Sequence, residues 1–315
     1  MLRGLPGITL IPFEKKSFFR APLRLLAFLG ALRRTGYDAA IDASHWHSYS
    51  LTSALLTRLS TRRFTVGRAN GPEALRSASV PLPAPNLNEV ESKLLLLGGL
   101  GLPVPGAGAA PPLETALGLS AEGCRFASQA LESHALVRFA ALNIGARKAD
   151  HRWAPWKFAA LARGLREGHG LLSLVLWGPG EKALAQAVVE GAGGAAVLAP
   201  PSDLDQLAAV FRKAALVAAN DTGPLHLAVA CGSKVIALQL AADGARGSHR
   251  GPRFEPVEVH LLSRGSLHGA LLSDVGAALS AAARLLSLTE PQRQASVRPD
   301  AAVPVPEQPE KEGKA

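Results

Sequence analysis

The sequence predicts an α/β protein built on parallel sheets. Three observations predict it. Short apolar runs of strand length alternate with longer stretches whose apolar residues recur at helical spacing. Glycine closes several of these runs, as at Gly36, Gly145 and Gly178. The 315 residues also fall into two such blocks, parted by a Pro/Gly/Ala stretch from Pro103 to Pro112 that has no periodicity.

Composition sets the outer bounds. Hydrophobic residues make up 48% of the chain and charged residues 19%, so a sizeable core can form and a wholly disordered chain is excluded. At roughly 150 residues per domain, the length suggests about two domains. The 34 Lys and Arg against 25 Asp and Glu leave a net charge of +9. Such a balance favours phosphates, nucleic acid or an anionic membrane surface, without choosing among them. Lys is scarce while Ala, Gly, Leu and Arg abound, so part of the charge reflects coding bias. Two cysteines, Cys124 and Cys231, rule out a disulfide framework or a multi-cysteine zinc site. They are expected to be buried thiols in a reducing compartment. No apolar run reaches the roughly 18 residues of a membrane span. The richest, Leu23 to Leu32, is cut by Arg24 and closed by Arg33 and Arg34. The first residues read as a strand, Gly7 to Pro12, and a charged turn rather than as a secretory signal. A cytoplasmic location is expected.

The first block, residues 1–115 with its linker, is expected to be one domain. After the opening strand, Ala21 to Arg34 is helical, with Leu25, Leu26, Phe28, Leu29 and Leu32 on its buried face. Tyr37 to Asp42 is a strand, Leu51 to Leu59 a helix and Phe64 to Gly67 another strand. Asn88 to Leu97 is an amphipathic helix with Glu89, Glu91 and Lys93 on its polar side.

The second block, residues 116–288, is more regular. Strands are expected over Leu136–Ile144, Leu171–Trp177, Ala195–Leu198, Leu216–Ala219 and Val235–Leu238. Helices are expected over Lys157–Arg166, Lys182–Glu190, Leu204–Ala214, Gly223–Ala230 and Ser273–Leu288. Such sustained alternation reads as a Rossmann-like, doubly wound domain. From Thr289 large apolar residues almost vanish, and residues 289–315 are expected to be a disordered tail.

Ligands of open α/β sheets bind at the carboxyl ends of the strands, and three turns there carry suggestive residues. Asn143 to Lys148, continuing through His151, Arg152 and Trp153, offers Gly145 for close backbone approach and Arg147, Lys148, His151 and Arg152 as cations for a phosphate. A solvated basic loop is the alternative. Trp177-Gly178-Pro179-Gly180-Glu181 places a carboxylate after a glycine turn, where it could accept from a ribose or base. The alternative is a Glu181 that only complements the next helix dipole. Asn220-Asp221-Thr222-Gly223-Pro224-Leu225-His226 follows an apolar strand and opens a helix. Backbone N–H groups there can hold a pyrophosphate, with Thr222 donating and His226 one turn in. The alternative is an Asp221 N-cap and a buried histidine.

Other features are weaker. His45-Trp46-His47 lacks a third ligand, so no metal site is assigned. Trp153, Trp156 and Trp177 read as core or cleft packing. The arginines of 58–68 and 246–253 read as solvated surface. The chain lacks the aromatic and basic interleaving of nucleic-acid binders, and no nucleic-acid partner is expected.

The run Asp221 to Gly232 resembles the D-T-G-x-x-H-x-A-x-x-x-G signature of glycosyltransferase family 9, which contains the lipopolysaccharide heptosyltransferases. Four further segments are similar to family blocks in order and spacing. They are Leu142 to Leu161, Leu174 to Glu181, Tyr37 to Leu55 and Asn88 to Gly101. The resemblance spans roughly residues 5–265. It implies a GT-B type fold of two Rossmann-like domains facing across a cleft. The C-terminal domain would bind a nucleotide sugar, typically ADP-heptose. The N-terminal one would bind an anionic glycolipid acceptor, typically the growing lipid A–core oligosaccharide. The reaction would invert the anomeric carbon by direct displacement, with neither metal nor cofactor. Asp221, Thr222, Gly223 and His226 would hold the diphosphate and sugar, and Glu181 the nucleoside. A basic protein suits a peripheral place on the inner face of the cytoplasmic membrane.

The chain departs from the family pattern in three places. The family's opening strand, Gly-Asp loop and helix have no counterpart, so the N-terminal domain is expected to be incomplete and no catalytic base is assigned. The family's phosphate-contacting Lys is His151 here, leaving Arg152 or Lys148 as substitutes with different geometry. The turn after the signature helix, Ser233 to Leu240, lacks the family's Pro and closing Gly. Two functional readings therefore stand side by side. One is an inverting glycosyltransferase. The other is a degenerate, non-catalytic relative that binds a nucleotide or glycan as a partner protein.

Overall fold

The computed structural model describes residues 8–13, 15, 22–45, 49–83, 87, 89–104, 117–146, 152–240, 253–259 and 268–288. Within them lie two parallel sheets, one in each block of the sequence. The Pro/Gly/Ala stretch from 105 and the tail from 289 lie outside the described residues.

The first sheet has three strands in the order β1-β2-β3, with β1 at Ala39–Ile41, β2 at Phe64–Arg68 and β3 at Ala78–Val80. Helix α1, Pro22–Thr35, precedes β1, and α2, Leu51–Ser60, joins β1 to β2. Ser50 caps α2, its hydroxyl accepting from Ser53 N at 3.2 Å. The Ser53 hydroxyl in turn donates to Asp42 Oδ1 at 2.7 Å and ties that helix to the end of β1. Val66, Val80 and Leu96 form a small core. Gly99 lies against it so closely that a Cβ there would stand 2.6 Å from Val66 Cγ1.

Several expectations for this block need correction. Residues 8–13 form no strand, and Ile8, Leu10 and Ile11 are exposed. Leu26 faces solvent at 65% exposure, leaving Leu25, Phe28, Leu29 and Leu32 half-buried. The amphipathic helix is short: α3 covers Glu89–Leu94 and tightens into a 3₁₀ helix over Leu95–Leu100. Glu91 is buried on it rather than solvated. Arg68 is also buried, and donates to the Ser92 and Pro81 carbonyls. Desolvation lowers its pKa from the ordinary arginine value.

The second sheet has six strands in the order β6-β5-β4-β7-β8-β9. They are β4 Phe139–Asn143, β5 Leu172–Leu176, β6 Ala196–Leu198, β7 Leu216–Asn220, β8 Val235–Leu240 and β9 Phe254–Val259. In chain order this is the 3-2-1-4-5-6 arrangement of dinucleotide-binding sheets, and the direction of winding reverses between β4 and β7. Register pairs Asn143 with Leu176 on one side and with Ala219 on the other. The central strands β4 and β7 are buried on both faces, so they read as continuous apolar runs rather than alternating ones.

Helices cover both faces. They are α4 Ala121–Glu132, α5 Pro155–His169, α6 Lys182–Gly191, α7 Leu204–Lys213, α8 Gly223–Ala230 and α9 His268–Ser287. A capping box starts α7, with Asp203 accepting from Gln206 N and Gln206 accepting from Asp203 N. Gly164 on α5 admits Leu279 of α9, whose methyl carbons would lie 2.7 Å from any Cβ there. Helix α4, strand β3 and strand β9 are among the elements that escape sequence reading. Helix α4 buries mostly small residues, Ala127 and Ala130 among them. Strand β3 has only three residues. Strand β9 carries Pro256 between two glutamates, a pattern an edge strand tolerates. Cys124, expected to be buried, is exposed on α4.

Candidate functional site

The crevice outside a reversal point is where open α/β sheets hold ligands. Here it lies between the carboxyl ends of β4 and β7, and three loops converge on it.

Asn220, the last residue of β7, spans the reversal point. It is fully buried. Its Nδ2 donates to the Ile144 carbonyl at 2.8 Å, and its Oδ1 accepts from Trp153 N at 3.0 Å. One amide thus joins the end of β7 to both ends of the loop after β4. In the sequence Asn220 stands only as the residue before Asp221, with no role assigned to it. A polar residue closing an otherwise apolar strand was the signal available.

Glu181 performs a similar task between β4 and β5. Its Oε2 accepts from Gly178 N at 2.9 Å. Its Oε1 accepts from Ala146 N at 3.1 Å and pairs with Arg152 Nη2 at 3.2 Å. Arg152 Nε also donates to the Ala146 carbonyl at 2.8 Å. The Glu181 side chain is 12% exposed and that of Arg152 30%. Glu181 stands at the N-cap of α6 but makes no side-chain capping bond there. Its carboxylate serves the two neighbouring loops instead of the helix end. Gly145 and Gly178 pass directly beneath it. Gly180 takes φ +81, a left-handed conformation that glycine adopts without strain.

The loop after β7 is differently built. Asp221 and Thr222 are half-buried, while Gly223 and His226 are exposed. The N-cap of α8 is Thr222, not Asp221, and the Thr222 side chain makes no capping bond. Thr222 Oγ1 turns back to donate to the Asn220 carbonyl at 3.2 Å. Gly223 has open space where a side chain would begin. His226 is therefore not the buried helix histidine considered as its alternative. An uncapped helix start beside an open glycine is a place where an anion can meet backbone N–H groups and the positive end of the dipole.

The structure thus brings Ala146, Arg152 and Glu181 into one hydrogen-bonded unit, with Gly145 packed against the Glu181 carboxylate. Through Asn220 it joins them to the loop bearing Asp221, Thr222, Gly223 and His226. Arg147, Lys148 and His151 lie outside the described residues. At the altered turn after α8, Gly232 takes φ +72 and Ser233 is buried, donating to the Phe211 carbonyl at 2.9 Å. Trp177 Nε1 donates to the Ala199 carbonyl at 2.9 Å, Trp153 is buried and Trp156 is 40% exposed. Of the histidine pair near the first sheet, His45 contacts Glu89 at 3.3 Å, and His47 lies outside the described residues. Among the described residues no helix is long and apolar enough to cross a membrane.

Residues 25–246, well over half the chain, match the model of glycosyltransferase family 9 (heptosyltransferase). A family 9 glycosyltransferase structure from Veillonella parvula DSM 2008 aligns with TM-score 0.69 and 17% identity, covering 89% of this chain and 81% of that one. E. coli ADP-heptose LPS heptosyltransferase II aligns with TM-score 0.60 and 18% identity, covering 82% and 80%. E. coli heptosyltransferase WaaC, solved with ADP, aligns with TM-score 0.59 and 22% identity, covering 78% and 76%. At these identities the alignments establish the fold. A comparison with curated proteins gives no match.

Proposed function

The chain belongs to glycosyltransferase family 9, and from that premise we propose that it transfers a sugar, heptose from ADP-heptose, to an anionic glycolipid acceptor of the lipopolysaccharide core type. The observation that carries the proposal is the loop after β7. It combines an uncapped helix start, an open Gly223 and an exposed His226 at the reversal point of the sheet. Structures of a similar fold are described with ADP and with ADP-2-deoxy-2-fluoro heptose bound, which supports a nucleotide-sugar donor.

In this reading the diphosphate lies over the start of α8, where Gly223 N–H donates to it and the Thr222 hydroxyl turns to it by releasing the Asn220 carbonyl. Asp221 and His226 contact the sugar and the bridging phosphate. Arg152, already oriented by Ala146 and Glu181, turns its remaining Nη1 toward the phosphates, with Lys148 and His151 adding charge. Glu181 accepts from one ribose hydroxyl on the Oε2 lone pair its three loop contacts leave over. The acceptor hydroxyl oxygen attacks the anomeric carbon as that carbon's bond to the phosphate oxygen breaks, and the hydroxyl's proton passes to solvent water. ADP departs with the bonding pair, and the anomeric configuration inverts. The developing phosphate charge is met by fixed N–H dipoles and cations, so no metal ion is needed. The net charge of +9 suits an acceptor held at the inner face of the cytoplasmic membrane.

The test is a transfer assay with ADP-heptose and lipid A–core acceptors of graded length, beside calorimetric titration with ADP. ADP release that requires acceptor, with a glycosylated product of the expected mass, is the expected result. ADP binding without transfer to any acceptor would favour the second reading, a non-catalytic relative. Failure to bind any nucleotide would overturn both the donor and the site.

A further inference from the structure

A buried charge network lies behind the donor site and is not used by the reaction above. Asp274, on α9, has a carboxylate with no solvent exposure, and Lys157, on α5, is equally buried. Lys157 Nζ lies 2.6 Å from Asp274 Oδ2. The same oxygen accepts from Trp153 Nε1 at 2.9 Å. Lys157 Nζ also stands 5.9 Å from the Trp153 ring centroid and 5.6 Å from that of Trp156.

Such a pair is weak evidence for stability. Removing two charges from water costs several kcal/mol each, and their attraction only about offsets it. What the network does supply is direction. Trp153 is a residue with two hydrogen bonds at right places: its indole is held by Asp274, and its backbone N–H is held by Asn220 at 3.0 Å. The next residue back, Arg152, contacts Ala146 and Glu181. A path therefore runs from α9 through Trp153, by a hydrogen bond to the Asn220 amide and by the chain link to Arg152 and its ion pair with Glu181. Asp274 lies 121 positions from Trp153 in the chain, so nothing local holds the two together.

We propose that Asp274, braced by Lys157, is a positioning residue that acts through Trp153 to set the Arg152 segment for the donor diphosphate. The proposal rests on the donor-site reading above. Asp274 and Lys157 touch no substrate. Their effect is on where the Arg152 guanidinium and the Ile144–Ala146 backbone stand before the nucleotide arrives. A ligand that finds these groups already placed does not spend binding energy on ordering them.

The experiment is titration of the full chain with ADP by calorimetry, with folding followed by circular dichroism. Trp153→Phe deletes the indole donor and leaves the ion pair in place. It should weaken ADP binding about tenfold, the scale of one charge-assisted hydrogen bond. Asp274→Ala should do the same wherever it folds. The double variant Asp274→Asn with Lys157→Met removes both charges but keeps an oxygen that can accept from Trp153. It should bind within about threefold of wild type. A merely structural role would lower the melting temperature and leave the affinity of the folded protein unchanged. Folded Trp153→Phe binding ADP as tightly as wild type would therefore overturn the proposal. So would loss of affinity in the double variant equal to that in Asp274→Ala. If the wild-type chain itself fails to bind ADP, the donor-site reading falls first, and the positioning role with it.

Discussion

The Glu181 carboxylate occupies the space in which a side chain at position 145 would begin. A Cβ on Gly145 would lie 3.0 Å from Glu181 Cδ and closer still to Oε2. Glu181 cannot swing aside cheaply, because Gly178 N, Ala146 N and Arg152 all hold it. Gly145→Ala is therefore expected to cost about 1–3 kcal/mol, the usual range for overpacking a filled site. Urea denaturation would show it as a lower midpoint with unchanged slope. A wild-type midpoint would mean that the carboxylate yields, and that it is not the rigid clamp described here.

Asn220 makes a second prediction. Asn220→Ala leaves the Trp153 N–H and the Ile144 carbonyl without their buried partner. Each stranded group costs about 1–3 kcal/mol. The same denaturation experiment measures it. Asn220→Asp should destabilise more than Asn220→Ala at neutral pH, since it buries an unpaired carboxylate with one oxygen facing the Ile144 carbonyl.

Asp221 and His226 should behave oppositely. His226 is exposed and Asp221 half-buried, so truncating either should change stability little. On the proposed mechanism, Asp221→Ala and His226→Ala each remove most transfer while leaving the melting temperature within a few degrees of wild type. Full activity in both variants would take the sugar and phosphate contacts away from this loop.

Charge neutralisation by the helix start and by Arg152 leads to a further expectation. Transfer should be insensitive to EDTA. Inhibition by the chelator that an added divalent ion reverses would place a metal in the reaction.

The two cysteines should separate cleanly under alkylation. Cys124 is exposed, whereas Cys231 is half-buried with its thiol pushed up to about 11 by desolvation. Only the thiolate is nucleophilic. Iodoacetamide at neutral pH should therefore modify Cys124 and spare Cys231 in the native protein, and modify both after denaturation. Peptide mass mapping reads this directly. Equal labelling in the native state would mean that the β7–β8 side of the sheet opens far more readily than its packing implies.

The alternation of strands and helices was legible in the second block because its central parallel strands are buried on both faces. Runs such as Leu216 to Ala219 then have no polar residue to blur them. Where that condition fails, the reading fails. Pro256 and its flanking glutamates hid an edge strand. The apolar residues at 8–11 suggested a strand that has no partner among the described residues. Arg68 and Glu91 were read as surface because charged residues are usually solvated. Their burial beside the 3₁₀ helix depends on contacts more than twenty residues away, such as that between Arg68 and Ser92.

The sequence by itself determined the fold class, the family and the loops that face the site. These follow from periodicity, from glycine at strand ends and from the run Asp221 to Gly232, all of which are local in the chain. Tertiary structure alone decided what each residue does there. Only the packed sheet shows that Glu181 serves two loops rather than its own helix, that Thr222 and not Asp221 begins α8, and that Asn220 bridges the reversal point. Only the docking of α9 brings Asp274 to Trp153. The physical reason is that a hydrogen bond depends on distance and direction in space. Partners separated by 67 or 121 positions leave no mark on local spacing.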